Sequence, residues 1–308
     1  MPPLRLLTGL IFVAGMLTSG CSPNTDPSNS KAQKFIALTL DDGPMTHFYS
    51  YPDDQLRWDT VTRLMQQLKS EQVPATIFAI GREMEIPQMR SMLYKWASGG
   101  FEIGNHTYSH VSFNAFDETS WQTDVRRANE AIAPVIQAFQ PQIRYFRYPF
   151  LQEGATSDLE EIGRRVVERE GMRVAEVTIG TDDWNFNEQY MALELKQDWA
   201  ARYEVGQAYL QHIRKAVAYW DSVGTTLAAR PIHHVMMLHC NRINRDYLAQ
   251  IIQELKKQGF GFISLDRALQ DPIYQEEEDW ATENGVSFLE HIKQNRMKRG
   301  IPLHGKSP

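Results

Sequence analysis

The stretch Thr39-Leu40-Asp41-Asp42-Gly43-Pro44 decides how this chain is read. It follows the apolar run Phe35-Ile36-Ala37-Leu38. Phe35 to Leu40, bounded by Lys34 and a Gly-Pro break, has the length and residue types of a buried strand. Two carboxylates therefore sit where a strand ends and a turn begins, which is where an α/β enzyme keeps its chemistry. Neighbouring residues on a regular strand point to opposite faces, but a bend at the strand end lets Asp41 and Asp42 reach one pocket. Asp-Asp-Gly-Pro is also an ordinary turn sequence, so its meaning rests on the residues further along the chain.

Downstream, helical and strand patterns alternate. Apolar residues recur at helical spacing from Leu56 to Leu68, and a second strand is expected at Ala75 to Ile80. A helix over Ile86 to Trp96 stops at Gly99-Gly100, and a third strand, Phe101 to Gly104, runs into Asn105-His106-Thr107-Tyr108-Ser109-His110. The same alternation gives a helix at Trp121 to Phe139 and a strand at Ile143 to Phe146 leading to Arg147-Tyr148-Pro149-Phe150. It then gives a helix at Asp158 to Glu170 and a strand at Arg173 to Ile179 leading to Asp182-Asp183-Trp184. A helical stretch without strand signal fills 187–230 as an insertion of one or two helices over part of the rim. Strand His234 to Leu238 ends at His239, helix Asp246 to Gln258 at Gly259, and a last strand covers Phe260 to Leu265. Strand and helix at this rhythm predict parallel βα units, seven strands in all.

Five of these strands end in polar, chemically competent residues: Asp41-Asp42, His106/His110, Arg147, Asp183 and His239. In a βα barrel those ends meet at one mouth. His-x-x-x-His alone is weak in a chain with nine histidines. Joined by Asp42 from another strand exit, it becomes a three-ligand set that leaves open positions on a Zn²⁺-like ion, as hydrolytic sites need. Trp184 offers a face for a sugar ring or packs the rim, and Tyr108, Tyr148 and Phe150 allow the same two readings. His233 and His234 are expected before the sixth strand, on its far side, as structural residues, and Cys240 as a bystander.

Composition narrows the field. The chain has 308 residues, 42% hydrophobic and 23% charged, enough for one large domain or two modest ones. A formal charge of −6 with no basic cluster argues against a nucleic-acid partner. At the N-terminus, Arg5, the apolar run Leu6 to Leu17 and the small residues Thr18-Ser19-Gly20 before Cys21 read as an export signal over 1–20. The run is too short and too interrupted by Gly9 and Gly15 to favour a retained span. Small residues before a cysteine resemble a bacterial lipoprotein cleavage site, with Thr18 where Leu is usual. That resemblance implies a lipidated Cys21, the chain's sole membrane attachment, and Ser22 resembles the outer-membrane sorting preference. The expected location is thus a periplasm-facing outer-membrane lipoprotein, or otherwise the periplasm or outside the cell. Residues 21–34 read as a flexible tether. A tail over 271–308 carries the solvated acidic run Glu276-Glu277-Glu278-Asp279 and an amphipathic helix at Val286 to Met297.

Over about Phe35 to Gln270 the sequence resembles the polysaccharide deacetylases with the NodB-homology domain, carbohydrate esterase family 4. Five motifs occur in order: Thr39 to Pro44 with Leu40 for Phe, His106-x-x-x-His110, Arg147 to Phe150 with Leu151 where many members have Gly, Asp183-Trp184 with Gly180 replacing a first Asp, and Leu-x-His as Met237-Leu238-His239. The resemblance implies a distorted (β/α)7 barrel. It also implies one divalent ion on Asp42, His106 and His110, with Zn²⁺ ahead of Co²⁺ or Ni²⁺. Asp41 would be the general base, Arg147 its partner, and His239 the general acid with Asp183 behind it. The backbone N–H of Phe150 would stabilise the oxyanion, and Trp184 would meet the substrate, an acetylated glycan. A barrel glycoside hydrolase using Asp41 or Asp42 with Asp183 is the competing enzyme reading, and an idle glycan-binding barrel the competing non-enzyme one.

Overall fold

The computed structural model describes residues 34–46, 53–276 and 280–304. The export signal, Cys21, the tether up to residue 33, residues 47–52 and Glu277-Glu278-Asp279 lie outside them. No helix among the described residues is long and apolar enough to cross a membrane.

β1 (Lys34–Gly43) is the strand around which the sheet is laid. β6 (His233–His239) follows one edge in parallel register from Phe35–His233 to Asp41–His239. The other edge is shared: β7 (Phe260–Phe262) pairs with Lys34 to Ile36, and β2 (Ala75–Ala79) with Leu38 to Gly43. The sheet continues through β3 (Glu102–Asn105) and β4 (Tyr145–Phe146) to β5 (Arg173–Val174), all parallel, seven strands in all. Parallel strands are covered on both faces, which is why β1 and β2 read as unbroken apolar runs.

The crossover helices are α1 (Asp54–Ser70), α2 (Pro87–Ser98), α3 (Glu118–Ile136), α4 (Ser157–Arg169) and, later, α7 (Arg242–Lys257). Asp53, Asp117, Thr156 and Asn241 cap four of them by accepting from first-turn N–H groups. The helical spacing seen in α1 is its buried face, Val61, Leu64, Met65 and Leu68, packed in one core with Ile36, Leu38 and Leu40 of β1.

Four expectations need correction. Arg173 to Ile179 is not one strand: Ala175 N donates to Phe146 O of β4 (2.8 Å), while Met237 N of β6 donates to Ile179 O (3.0 Å). The segment crosses from one side of the sheet to the other and so closes the curled barrel, because each end finds a different neighbour. The insertion starts earlier than 187: α5 (Asp183–Leu195) begins at Asp183 itself, and α6 (Trp199–Ala228) comes after it. His233 and His234 lie within β6, not before it; His234 is fully buried, its Nδ1 against Thr178 Oγ1 (3.1 Å). β7 stops at Phe262, and Leu265 opens the short helix α8 (Leu265–Ala268).

The stretch after Gln270 packs into the barrel domain. Its helix α9 (Phe288–Lys298) buries Phe288, Leu289 and Ile292 in a second apolar cluster. Phe288 N donates to Val177 O (2.7 Å) and Ser287 Oγ to Thr178 O (2.9 Å), so α9 latches onto the closing segment.

Candidate active site

The strand exits deliver their polar residues to one cleft of about 1340 Å³, lined by Asp41, Asp42, His106, His110, Phe150 and His239 among others. A register shift between Leu40 and Gly43 breaks the β1–β2 ladder, and Asp42 takes a φ of 55°. That irregularity is the expected bend, although the strand runs on through both aspartates. Thr107, His110, Phe150, Leu151 and Asp182 also have positive φ. Left-handed backbone costs a non-glycine residue about 1–3 kcal/mol, and here it gathers around the mouth, where it re-aims side chains.

Asp42, His106 and His110 offer ligand atoms within 4.8 Å of one another. Nε2 of His110 lies 3.0 Å and Nε2 of His106 3.5 Å from Oδ1 of Asp42. His106 Nδ1 donates to Arg147 O (2.9 Å), which leaves its Nε2 as a bare lone pair facing the carboxylate. Oδ1 of Asp42 is buried with no hydrogen-bond partner. Three acceptors converging on one point need either a proton or a cation between them. Burial alone would raise the Asp42 carboxyl, yet positive charge shared with the two imidazoles holds it well below the ordinary carboxylate range. The donor set, two imidazole nitrogens and one carboxylate oxygen, fits a divalent ion of the Zn²⁺, Co²⁺ or Ni²⁺ kind.

Asp41 is held apart from this group. Arg147, fully buried, donates from one terminal nitrogen to both its oxygens (3.0 and 3.1 Å) and anchors itself through Nε on Ala175 O (2.6 Å). The β1–β6 register sets Asp41 directly beside His239. His239 Nδ1 lies 2.7 Å from Asp183 Oδ1, while Asp183 Oδ2 accepts from His239 N, Asn241 Nδ2 and Asn244 Nδ2. A carboxylate with so many donors stays ionised, so Nδ1 carries the proton and Nε2 is left for the cleft. Burial would lower the His239 pKa, but Asp183, with Asp42 and Asp41 behind it, pushes it up to about 10.

Asp183 is fully buried with both oxygens engaged, so it meets no glycosidic bond; the pairing of Asp41 or Asp42 with Asp183 as a glycosidase acid and base does not form. Phe150 and Trp184 stand at the cleft, 56% and 51% exposed, and the Phe150 ring packs edge-on to His110 at 4.9 Å. Tyr148 is core, stacked on Trp121, while Tyr108 sits under Arg127 at 3.8 Å and bonds Glu85. Cys240 is buried and its thiol pushed well up by that burial, a poor nucleophile.

Sequence reasoning misses several supports. Asp124 of α3 accepts from Tyr108 N and Ser109 N (3.1 and 3.3 Å), pinning the His106–His110 turn, and no spacing hints at it. Asn241 and Asn244 are legible only as the start of a helix, Asn241 being its cap. Gly285, after the acidic run, lies against the Phe150 loop: a Cβ there would fall 1.6 Å from Phe150 O. Gly285→Ala is expected to shift that loop, costing about 1–3 kcal/mol in stability. Melting temperature and turnover should both fall; an unchanged melting temperature would show that the loop moves freely.

Residues 28–173 match the family model described as polysaccharide deacetylase. A bifunctional xylanase/deacetylase from Pseudobutyrivibrio xylanivorans is 21% identical over 268 residues, 86% of this chain and 35% of that protein. A peptidoglycan-N-acetylglucosamine deacetylase from Bacillus cereus is 24% identical over 149 residues, 48% of this chain and 46% of that protein. The chain thus spans less than half the length of either relative. The fold is similar to that of a family 4 carbohydrate esterase from Streptomyces lividans solved with acetate, with a TM-score of 0.51 at 18% identity, covering 83% of this chain and 99% of the other. The sheet order and this likeness define the fold as a curled parallel βα barrel. The match to the polysaccharide deacetylase model thus takes in just under half of the chain, and the likeness in fold extends over 83% of it.

Proposed function

We propose that the protein is a metal-dependent hydrolase that removes acetyl groups from an N- or O-acetylated polysaccharide of the cell envelope. The observation that carries this reading is the convergence of Asp42, His106 and His110 beside the paired strand ends bearing Asp41 and His239. Asp42, His106 and His110 would hold one divalent ion, Zn²⁺ first among the candidates. When bound, it would polarise the acetyl carbonyl and acidify water.

Asp41 takes the proton from the attacking water, and Arg147 fixes its direction and keeps it off the ligand set. The Phe150 N–H faces the developing oxyanion. His239 returns a proton from Nε2 to the departing amine or alcohol, while Asp183 holds its tautomer. The C–N or C–O bond breaks, the acetyl carbon takes the water oxygen, and acetate leaves. Trp184 meets a sugar ring. An exported location, through the leader and Cys21, suits a polymer substrate.

The test is acetate release by the full chain on chitin oligomers, poly-N-acetylglucosamine, peptidoglycan and acetylated xylan. Release from at least one, abolished by a strong chelator and restored by Zn²⁺ or Co²⁺, is expected. No acetate from any of the four, or new reducing ends without acetate, would contradict it.

A further inference from the structure

The helix α6 has a second face that the chemistry above does not use. Its packing face is Gly206, Tyr209, Leu210, Ile213, Val217, Gly224 and Leu227, all buried. Offset from it, His212, Lys215, Ala216 and Tyr219 form a helical stripe that lines the same cleft as the ligand set. Packing alone does not account for this stripe. Tyr219 is 53% exposed, and its ring is braced edge-on by Trp220 at 4.9 Å, with Trp220 itself partly buried against the core. Trp184, on the first turn of α5, supplies another exposed aromatic face to that cleft.

Apart from Ala216, the stripe is polar where it is not aromatic. His212 Nε2 is steadied by Asp182 at 3.3 Å, Lys215 brings a cation, and Glu188, one turn beyond Trp184, brings an anion. Ala216 leaves a low point between His212 and Tyr219. A fixed aromatic face flanked by balanced donors and acceptors suits an uncharged pyranose, with an apolar C–H face and a ring of hydroxyls, better than a polyanion. The cleft, at about 1340 Å³, also exceeds the 300–1,000 Å³ or so that holds one drug-sized ligand. It has room for more than the sugar being deacetylated.

We propose that the α6 face formed by His212, Lys215, Ala216 and Tyr219 is a sugar-binding subsite, which receives a second residue of an uncharged glycan chain and makes the enzyme select long oligomers over short ones. This rests on the deacetylase reading. Tyr219 is the stacking platform, and Lys215 and His212 bond the ring hydroxyls.

The experiment measures kcat/KM for acetate release by the full chain on dimers and hexamers of N-acetylglucosamine, and on O-acetylated xylo-oligosaccharides of the same lengths. The hexamer should be favoured by about tenfold or more in one series, and Tyr219→Ala should remove that preference through KM on the hexamer. Tyr219→Phe should retain it. So should Tyr203→Ala, which removes an exposed aromatic of the same helix that does not line the cleft. Hexamer binding is read separately by fluorescence of Trp184 and Trp220, without turnover. Equal efficiency on both lengths in both series, or a Tyr219→Ala effect that is the same on dimer and hexamer, would overturn the subsite and leave the deacetylase reading standing. Hexamer binding that depends on Tyr219, with no acetate from any oligomer or from the four substrates named above, would instead sustain the subsite and overturn the deacetylase reading. Neither binding nor turnover would overturn the subsite.

Discussion

Asp41→Asn should lower kcat for acetate release by between about 10²- and 10⁴-fold while leaving the bound cation in place. The amide keeps the shape of the carboxylate and still accepts from Arg147 through its one oxygen, but it cannot take a proton from water. Asp41 is not among the three clustered ligand atoms, and its oxygens point to Arg147, so cation content should not follow activity down. The exchange also leaves the buried Arg147 charge without its counter-ion, so stability should fall too. Removing one partner of a buried pair costs about 3–5 kcal/mol, and the one hydrogen bond that the Asn oxygen still accepts should soften that. Arg147→Met sets the complementary case: Asp41 is left buried and unpaired, and the loss of stability should be larger than for Asp41→Asn. If Asp41→Asn lost its metal along with its activity, Asp41 would be a ligand and not the base.

The second large effect concerns His239 and pH. In the proposed reaction the form of His239 that gives up a proton is the imidazolium, so kcat/KM should hold at neutral pH and fall as pH rises through the His239 pKa. Asp183, Asp42 and Asp41 push that pKa up against the effect of burial, from an ordinary 6.5 to about 10. A cation held by Asp42 would offset its charge, so the alkaline limb should then lie between those two values. Asp183→Asn removes the charge that favours imidazolium and should move the limb toward lower pH; His239→Ala should remove it, with a loss of about 10²- to 10⁴-fold. A limb that stays in place in Asp183→Asn, or moves to higher pH, would show that another group donates the proton.

Much of this site is legible in the sequence because its members are strand exits. β1, β3, β4 and β6 each end in a recognisable polar word, and parallel βα topology turns that order along the chain into proximity at one mouth. The glycosidase pairing fails for a reason the sequence does not carry: Asp183 opens α5 and turns inward to His239, Asn241 and Asn244. Arg173 to Ile179 likewise has one apolar pattern but two pairing partners, and the choice of partner is tertiary. The amphipathic pattern of α9 shows that the helix buries a face, but not that the loop before it reaches Phe150. Asp124 and Asn244 act through backbone and side-chain hydrogen bonds across the fold, with no local spacing to announce them. The α6 stripe is hidden because aromatic residues at helical spacing read first as core.

The most direct measurement is the metal content of the purified full chain, taken together with acetate release as the metal is stripped and returned. One equivalent of a divalent ion per chain is predicted, lost in Asp42→Ala with the fold retained, with activity vanishing on stripping and returning on titration to one equivalent. Undiminished acetate release from chain stripped of its metal would contradict the account.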